Sequence, residues 1–560
     1  MFPANLGSTA TYTLFISGGQ ATSGNVSIPG IGFTQDFTVT PGEITSVQMP
    51  SNVAVNTSNV IENKGIRVTS NDEITIYGLN RQQFTTDAFL ALPEDILGQE
   101  YLSLGYRRGL VTAGLEYLAI VGTRDGTVVT ITPKVSAGVR PAGVSYDITL
   151  NAGQTYQLKS TGALTGSVIT ATAPIAVFGG NVCANIPPNT QFCDHLVEQL
   201  FPEDAWGTNF LTVPLKTRRG DTFIVLAGED GTTVNVTGRD PQTINRGEFT
   251  EFILGEVSSI NATKPVLVAQ YSNGSNFDGA LADPFMLLIP PSEQYEGQYT
   301  VATPASGFRR NFINIISSNT GIGSLTLNGD PIDNSLFVPI EGTTFSGAQV
   351  DISLGTFNLN GNEPFGVFVY GFDDDDSYGY PGGTTLAPIA RASSLNVTPD
   401  DSPVIEGETF CVLATVLDSL NQPLPGIRVD LNVTGANQSF SFGNTNADGQ
   451  VTLCYTAGNI GADQVTVSAS TLSESFTVEV KERPIPTTLI LSPDTLMVKA
   501  GQEICVSAQL LDQNGNPMAN SDLEFNVEGA NEFADNLPTN ENGIARFCYV
   551  PANVGTDQVS

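Results

Sequence analysis

Between Asn181 and Leu200 the chain reads NVCANIPPNTQFCDHLVEQL, and this stretch holds its only histidine, His195, beside Cys183, Cys193 and Asp194. Thiol, imidazole and carboxylate groups this close together are the materials of zinc sites and thiol enzymes. A zinc site takes four protein ligands, or three with water, and the sequence supplies no second histidine. A cysteine nucleophile needs a histidine base held by a third group, and the single residue between Cys193 and His195 does not ensure that contact. A short disulfide loop with a histidine beside it makes the least demand on these residues.

The other four cysteines support that reading. Cys411 and Cys454 are 43 positions apart, and so are Cys505 and Cys548. An even count with one evenly spaced pair per repeat is the pattern of an oxidising, extracellular compartment. In FCVLATV the apolar phase is Phe410, Val412, Ala414 and Val416, while Cys411 falls in the other phase, as do Cys454, Cys505 and Cys548 in their runs. Successive strand side chains alternate faces, so these two bonds are expected on the outer face of a sheet.

Other candidates are weaker. Asp373, Asp374, Asp375 and Asp376 form an acidic run that a calcium ion would suit, the one cofactor the sequence offers. A solvated acidic turn is the plainer reading. The run NTNADGQ (444–450) starts like a calcium loop but lacks the distal glutamate, which leaves a hairpin turn. Arg219-Gly220-Asp221 is an integrin-type tripeptide, yet it opens the strand TFIVLA and reads as a turn. Glu203 and Asp204 would serve a carbohydrate-active enzyme, but the same PED recurs at 93–95, which suggests scaffold. No residue set supports a reaction mechanism, so no catalysis is expected.

What must hold these residues is β structure. The 560 residues carry 57 acidic against 23 basic side chains, a net charge of −34. Such a surface repels phosphate backbones and anionic lipid, so neither nucleic acid nor direct membrane insertion is expected. Short alternating runs such as TVVTITP are punctuated by Asp-Gly turns, and helical periodicity is nearly absent. The C-terminal part repeats at an offset of 94 residues, FCVLATVLDSLNQPLPG (410–426) against ICVSAQLLDQNGNPMAN (504–520). A weaker repeat marks the first ~390 residues, in NDEITIYGLN (71–80), TAPIAVFGGN (172–181), TKPVLVAQYSN (263–273) and NEPFGVFVYGF (362–372). After each of the first three comes an aspartate (Asp87, Asp194, Asp283) and an apolar run. The expected fold is all-β: about four tandem β-sandwich-like units over 1–390, then two Ig-like sandwiches at 391–482 and 483–560, the last incomplete. A closed, pseudo-symmetric ring of the four units is the alternative arrangement. The N-terminus has no leader pattern, and the expectation is a segment of a longer secreted protein.

The motifs DAFLALPEDILGQEYL, CDHLVEQLFPEDAWGTNFLTVPLKTRRGDTF and SYGYPGG make residues ~10–390 resemble the IgGFc-binding protein N-terminal domain family. Residues 391–560 resemble bacterial Ig-like domains of the invasin and intimin type. The resemblance implies a binding module on an Ig-like stalk, extracellular or at the cell surface, with Cys183 and Cys193 at the family's cysteine positions. A glycoprotein, mucin or other surface glycan or protein is the implied partner. A purely structural matrix protein is the remaining alternative.

Overall fold

The computed structural model describes all residues except Ser8, Arg108, Ala113, Ala280, Leu281, 384–392, 401–403, 419–420, 426 and 470–471. The chain forms two compact units, Met1–Ile389 and Ala390–Ser560, and is almost wholly antiparallel β.

Four sandwich-like units make up Met1–Ile389. Each has an inner strand: Thr85–Leu90, Asp194–Gln199, Met286–Ile289 and Asp376–Pro381. Each inner strand pairs with one of the four repeat strands found in the sequence, here Thr75–Gln82, Ile175–Ala184, Ser258–Tyr271 and Thr356–Asp373. A third strand follows in each sheet: Thr11–Ser17, Glu116–Gly122, Asp221–Ala227 and Arg310–Ser318. Further strands build an outer layer, and the apolar faces of the two layers meet in the unit cores. In the third and fourth units one long strand, Ser258–Tyr271 or Thr356–Asp373, serves both layers.

The inner strands of the first and third units each pack against those of the second and fourth. The four sandwich-like units therefore close into a ring. Crowding at the ring centre buries every residue of Thr85–Leu90, Asp194–Gln199 and Asp376–Pro381. Outer strands such as Thr127–Thr132 keep the in–out alternation of a half-exposed sheet. Pro93, Pro202 and Pro291 end the inner segments and start the 3-10 turns Glu94–Ile96, Glu203–Ala205 and Ser292–Gln294, so the PED runs are scaffold corners.

In Ala390–Ser560 the first Ig-like sandwich pairs Ser394–Pro399, Thr409–Leu417 and Gln450–Thr456 in one sheet. Its other sheet holds Ser439–Asn444, Arg428–Gly435, Gly461–Ala469 and Leu472–Val480. The second copy has two three-stranded sheets. Cys411 lies directly across from Cys454, and Cys505 from Cys548, and both pairs are bonded. Their neighbours Phe410, Val412, Leu453 and Tyr455 fill the core, so the sulfurs sit on the sheet's outer face. Each copy repeats one polar clasp. Asn437 Nδ2 and Tyr455 Oη donate to Asp463 Oδ2 at 2.8 and 2.9 Å, and Asn531 and Tyr549 hold Asp557 in the same way.

Candidate binding face

Strand direction gathers one set of loops. Asn181 lies opposite both Glu116 and Leu196, Tyr271 opposite Thr222 and Met286, and Phe372 opposite Arg310 and Ser377. The loops entering each inner strand and each third strand thus lie at the same end of the ring. They bond to each other: the Gly274 amide donates to the Ile186 carbonyl at 2.7 Å, and Arg81 Nη1 to the Ser306 carbonyl at 3.2 Å.

Beneath this face lies a carboxylate hub. Asp87, Asp194, Asp283 and Asp376 lead into or stand in the four inner strands, and all are buried. Asp87 Oδ2 accepts the Val197 amide at 2.9 Å and the Met286 amide at 3.3 Å, and the Gly379 amide also reaches this carboxyl. One side chain from the first unit therefore engages the backbones of the other three. A local motif recurs as well. Oδ1 of Asp87, Asp194 and Asp376 accepts the next residue's amide, whereas Asp283 precedes Pro284, which has none. Burial pushes Asp194 well above the usual carboxylate range, aided by repulsion from Asp283, Asp376 and Asp87. It raises Asp283 to about 7 and Asp376 to about 6, Asp283 also feeling Asp375 and Asp376. Glu116, buried against Thr165, reaches about 7. Among the described residues no three His, Cys, Asp or Glu side chains share a metal-binding geometry.

His195 is a core residue of this hub. Asn80 Nδ2 lies 2.8 Å from the Pro3 carbonyl and 2.9 Å from His195 Nε2, and donates to both, which leaves the ring proton on Nδ1. Burial lowers the imidazole to about 3, so it stays neutral. Cys183 and Cys193 are bonded to each other, which removes the thiolate that a zinc or nucleophile reading of this stretch requires. The bond closes a loop that Asn185 also braces, its Nδ2 donating to the Thr190 and Phe192 carbonyls at 2.9 Å each.

The four aspartates of the 373–376 run are not brought together. Arg309 pairs with Asp373 and Asp374, Asp375 occupies a left-handed turn position, and Asp376 turns inward to the hub. Asp221 of the Arg-Gly-Asp tripeptide is fully buried, its Oδ2 accepting from the Leu215 amide at 2.7 Å and Gln270 Nε2 at 2.8 Å, so the tripeptide is not displayed. Glu203 is ion-paired with Arg246, and Trp206 is core, its Nε1 donating to the Phe201 carbonyl. Arg108 of GYRRG lies outside the described residues.

Asp376 is the fourth hub aspartate, whereas the sequence reads it as part of a solvated acidic turn that a calcium ion would also suit. Its signal was available: DSYGYP follows the fourth repeat strand just as DAFLAL and DHLVEQ follow theirs. The exposed Phe84 and Phe192 were also missed. The runs QFTTD and QFCD, each ending on a hub aspartate, mark both.

The family model described as IgGFc binding protein matches residues 87–371, from the first hub aspartate to the last long strand. This chain belongs to the IgGFc-binding protein family. It is 27 % identical over 378 residues to the IgGFc-binding protein of Homo sapiens, covering 64 % of this chain and 7 % of that protein. Over 190 residues it is 27 % identical to the inverse autotransporter adhesin YeeJ of Escherichia coli (strain K12), covering 31 % of this chain and 8 % of the adhesin. The chain thus spans under a tenth of the length of these two curated relatives. Among solved structures it is similar to the D0–D1 domain of intimin, at 17 % identity and a TM-score of 0.16, covering 30 % of this chain and 89 % of that one. In this family member the ring is followed along the chain by two Ig-like sandwiches, each with an outer-face disulfide.

Proposed function

We propose that this chain is an extracellular adhesion protein. Its ring binds a surface protein or glycoprotein such as a mucin through the loop face, and its Ig-like repeats act as a spacer stiffened by one disulfide each. The observation that carries this reading is the loop face itself: contact loops set on a rigid hub, with one of them closed by a disulfide, inside the segment that matches the family. Three disulfides fit an oxidising exterior. A carbohydrate-active enzyme needs paired carboxyls in an open cleft. The carboxylates gathered here are sealed from solvent, which favours binding over that alternative.

The test is surface plasmon resonance of the full chain over immobilised mucin, deglycosylated mucin and immunoglobulin Fc. Saturable binding to at least one, reduced by an antibody fragment raised against the 183–193 loop, is the expected result. Absence of binding to all three, or binding indifferent to the fragment, would count against the reading.

A further inference from the structure

We infer that the strand Arg67–Ser70 is an open sheet edge that accepts one more antiparallel strand from a partner polypeptide, and that this strand seats an aromatic side chain in the groove beside it. The inference is independent of the loop-face reading above.

Three of the four outer layers end on a strand that arrives from the preceding unit. Glu100–Leu102 pairs with Val168–Ala171, Gly207–Thr212 with the first part of Ser258–Tyr271, and Glu296–Ala302 with the first part of Thr356–Asp373. Arg67–Ser70 holds the same place in the first unit, since it pairs with Thr22–Ile28 as Val168–Ala171 pairs with Thr127–Thr132. Among the described residues no strand pairs with its other side. The three arriving strands are alike, GQEYL (98–102), GTNFL (207–211) and EGQYT (296–300). Each puts an aromatic residue at one register position: Tyr101 opposite Ile169, Phe210 opposite Ile260 and Tyr299 opposite Leu359, all buried. The two tyrosines make the same pair of bonds. Tyr101 Oη accepts the Gly98 amide at 2.9 Å and donates to the Ile175 carbonyl at 2.8 Å, and Tyr299 Oη accepts the Glu296 amide and donates to the Phe365 carbonyl.

At the matching place beside Arg67–Ser70 lies a groove of about 600 Å³ that opens to solvent. Val68 and Ile76 in its wall are half-buried, whereas their counterparts in the second unit, Ile169 and Val177, are fully buried. Leu92 and Leu97, on the chain leaving the first inner strand, also line it, so the groove is at the other end of the ring from the loops. The backbone is prepared as well. The Asn71 amide donates to the Ser23 carbonyl at 3.1 Å, and alternation along the strand turns the Val68 and Ser70 amides the other way, out of the sheet. In the second unit the amide that matches Ser70, that of Ala171, donates to the Gln99 carbonyl of the arriving chain at 2.8 Å. Ser70 is also a lining residue, and its Oγ is buried without a hydrogen-bond partner.

The three seated strands define the occupant of the fourth place. It is an extended segment, polar up to a tyrosine or phenylalanine, whose ring enters the groove and whose backbone meets the Val68 and Ser70 amides. By the same repeat alignment, a tyrosine there reaches the Ile74 carbonyl, the counterpart of Ile175. The sequence after the fourth inner strand, GTTLAPIARA (383–392), carries no aromatic residue, which points to another polypeptide as the donor. Unpaired amides along an edge, with a slot for every second side chain, are what binding by strand addition requires.

A fluorescein-labelled synthetic peptide of residues 97–105, LGQEYLSLG, titrated with the full chain and followed by fluorescence anisotropy, tests this. Saturable binding is expected, with slower hydrogen exchange at 66–71 when the peptide is present. The Tyr101→Ala peptide should bind at least tenfold more weakly. In the full chain Val68→Pro removes an outward amide, a change that an edge strand accommodates, and Ala91→Trp fills the groove that Ala91 lines. Each should weaken binding at least tenfold. The Ala91→Trp variant should melt at the same temperature or higher, which separates loss of binding from loss of fold. No saturable binding, equal binding by the Tyr101→Ala peptide, unchanged exchange at 66–71, binding indifferent to both variants, or a lower melting temperature of Ala91→Trp would each overturn the proposal. Lauric acid bound in the groove with exchange at 66–71 unchanged would also overturn it, in favour of an apolar small ligand.

Discussion

The ring and the Ig-like repeats solve opposite problems with similar residues. In the ring, polar side chains go inside: Asp87, Asp194, Glu198 and His195 are buried where four units meet. In the Ig-like sandwiches the disulfides face outward over an apolar core, and the principal buried polar group is one Asn–Asp–Tyr clasp per copy. Four pseudo-equivalent strands that share a centre present backbone amides which only a neighbouring unit can satisfy. A two-sheet sandwich pairs its amides within its own sheets and closes on apolar side chains around a single polar clasp. Specific closure of the ring therefore rests on a few polar atoms, and stability of the repeats on covalent staples.

The largest expected effect breaks the ring side of this contrast. Asp87→Ala leaves amides from three other units without their acceptor, at about 1–3 kcal/mol per buried orphan, or ~5 kcal/mol in all. Asp87→Asn keeps an acceptor oxygen and should cost about 2 kcal/mol. Urea unfolding followed at Trp206, the only tryptophan and buried in the ring, should show the loss, while the Ig-like repeats keep their own midpoint. Equal stability of the alanine variant would remove Asp87 from its central role.

Disulfide removal should weigh on the other side. Closure of a 43-residue separation is worth about 4 kcal/mol, and of the 10-residue separation at Cys183–Cys193 about 3 kcal/mol. Cys411→Ala/Cys454→Ala should therefore lower the calorimetric midpoint of the first Ig-like sandwich and leave the tryptophan signal of the ring in place. A shift in the ring transition instead would contradict the division.

Proton linkage should then give the two regions slopes of opposite sign. Asp283, Asp376 and Glu116 are raised by burial to about 7, 6 and 7, so between pH 4 and 7 the folded ring holds protons that the unfolded chain has released. Stability is then lost as pH rises through that window and levels off above it, at roughly 1.4 kcal/mol per unit of displacement. Among the Ig-like repeats, Asp512 is lowered by the Asn516 amide, so its contribution is present above pH 4 and lost as pH falls below it. Melting at pH 5 and pH 8 should show the ring more stable at the lower value. A ring midpoint that rises with pH would refute the protonated hub.

The smallest effect is none: a soluble Arg-Gly-Asp peptide should not compete with any attachment made by this chain, because Asp221 is buried. Competition at micromolar peptide would require Asp221 to come out.

The repeats that kept their alternation were legible in the sequence. Cys411, Cys454, Cys505 and Cys548 fell out of the apolar phase, and each lies across a single sheet on its outer face. The shared aspartates of three units were visible as well. What escaped notice lies where both strand faces are covered, since a fully buried strand such as Asp376–Pro381 has no period of two to read. Asp376 also ends a run of four aspartates that resembles solvated surface, and its burial depends on strands contributed by distant units. Phe84 and Phe192 were legible only by comparing units, in QFTTD and QFCD, because their positive φ belongs to the turn and leaves no mark in the phenylalanine itself.

The seam of the ring joins residues that the ribosome makes far apart. Tyr77 Oη donates to the Gly382 carbonyl at 3.2 Å, and its ring stacks on Tyr380 at 4.1 Å. A nascent chain that ends before residue 376 has no cover for this face and leaves Asp87 short of one of its amides. Cooperative closure must therefore await about 380 residues of chain, a slow, non-local step, and until then the first unit exposes the apolar face of Phe15, Tyr77 and Leu79, on which aggregation or a chaperone would act.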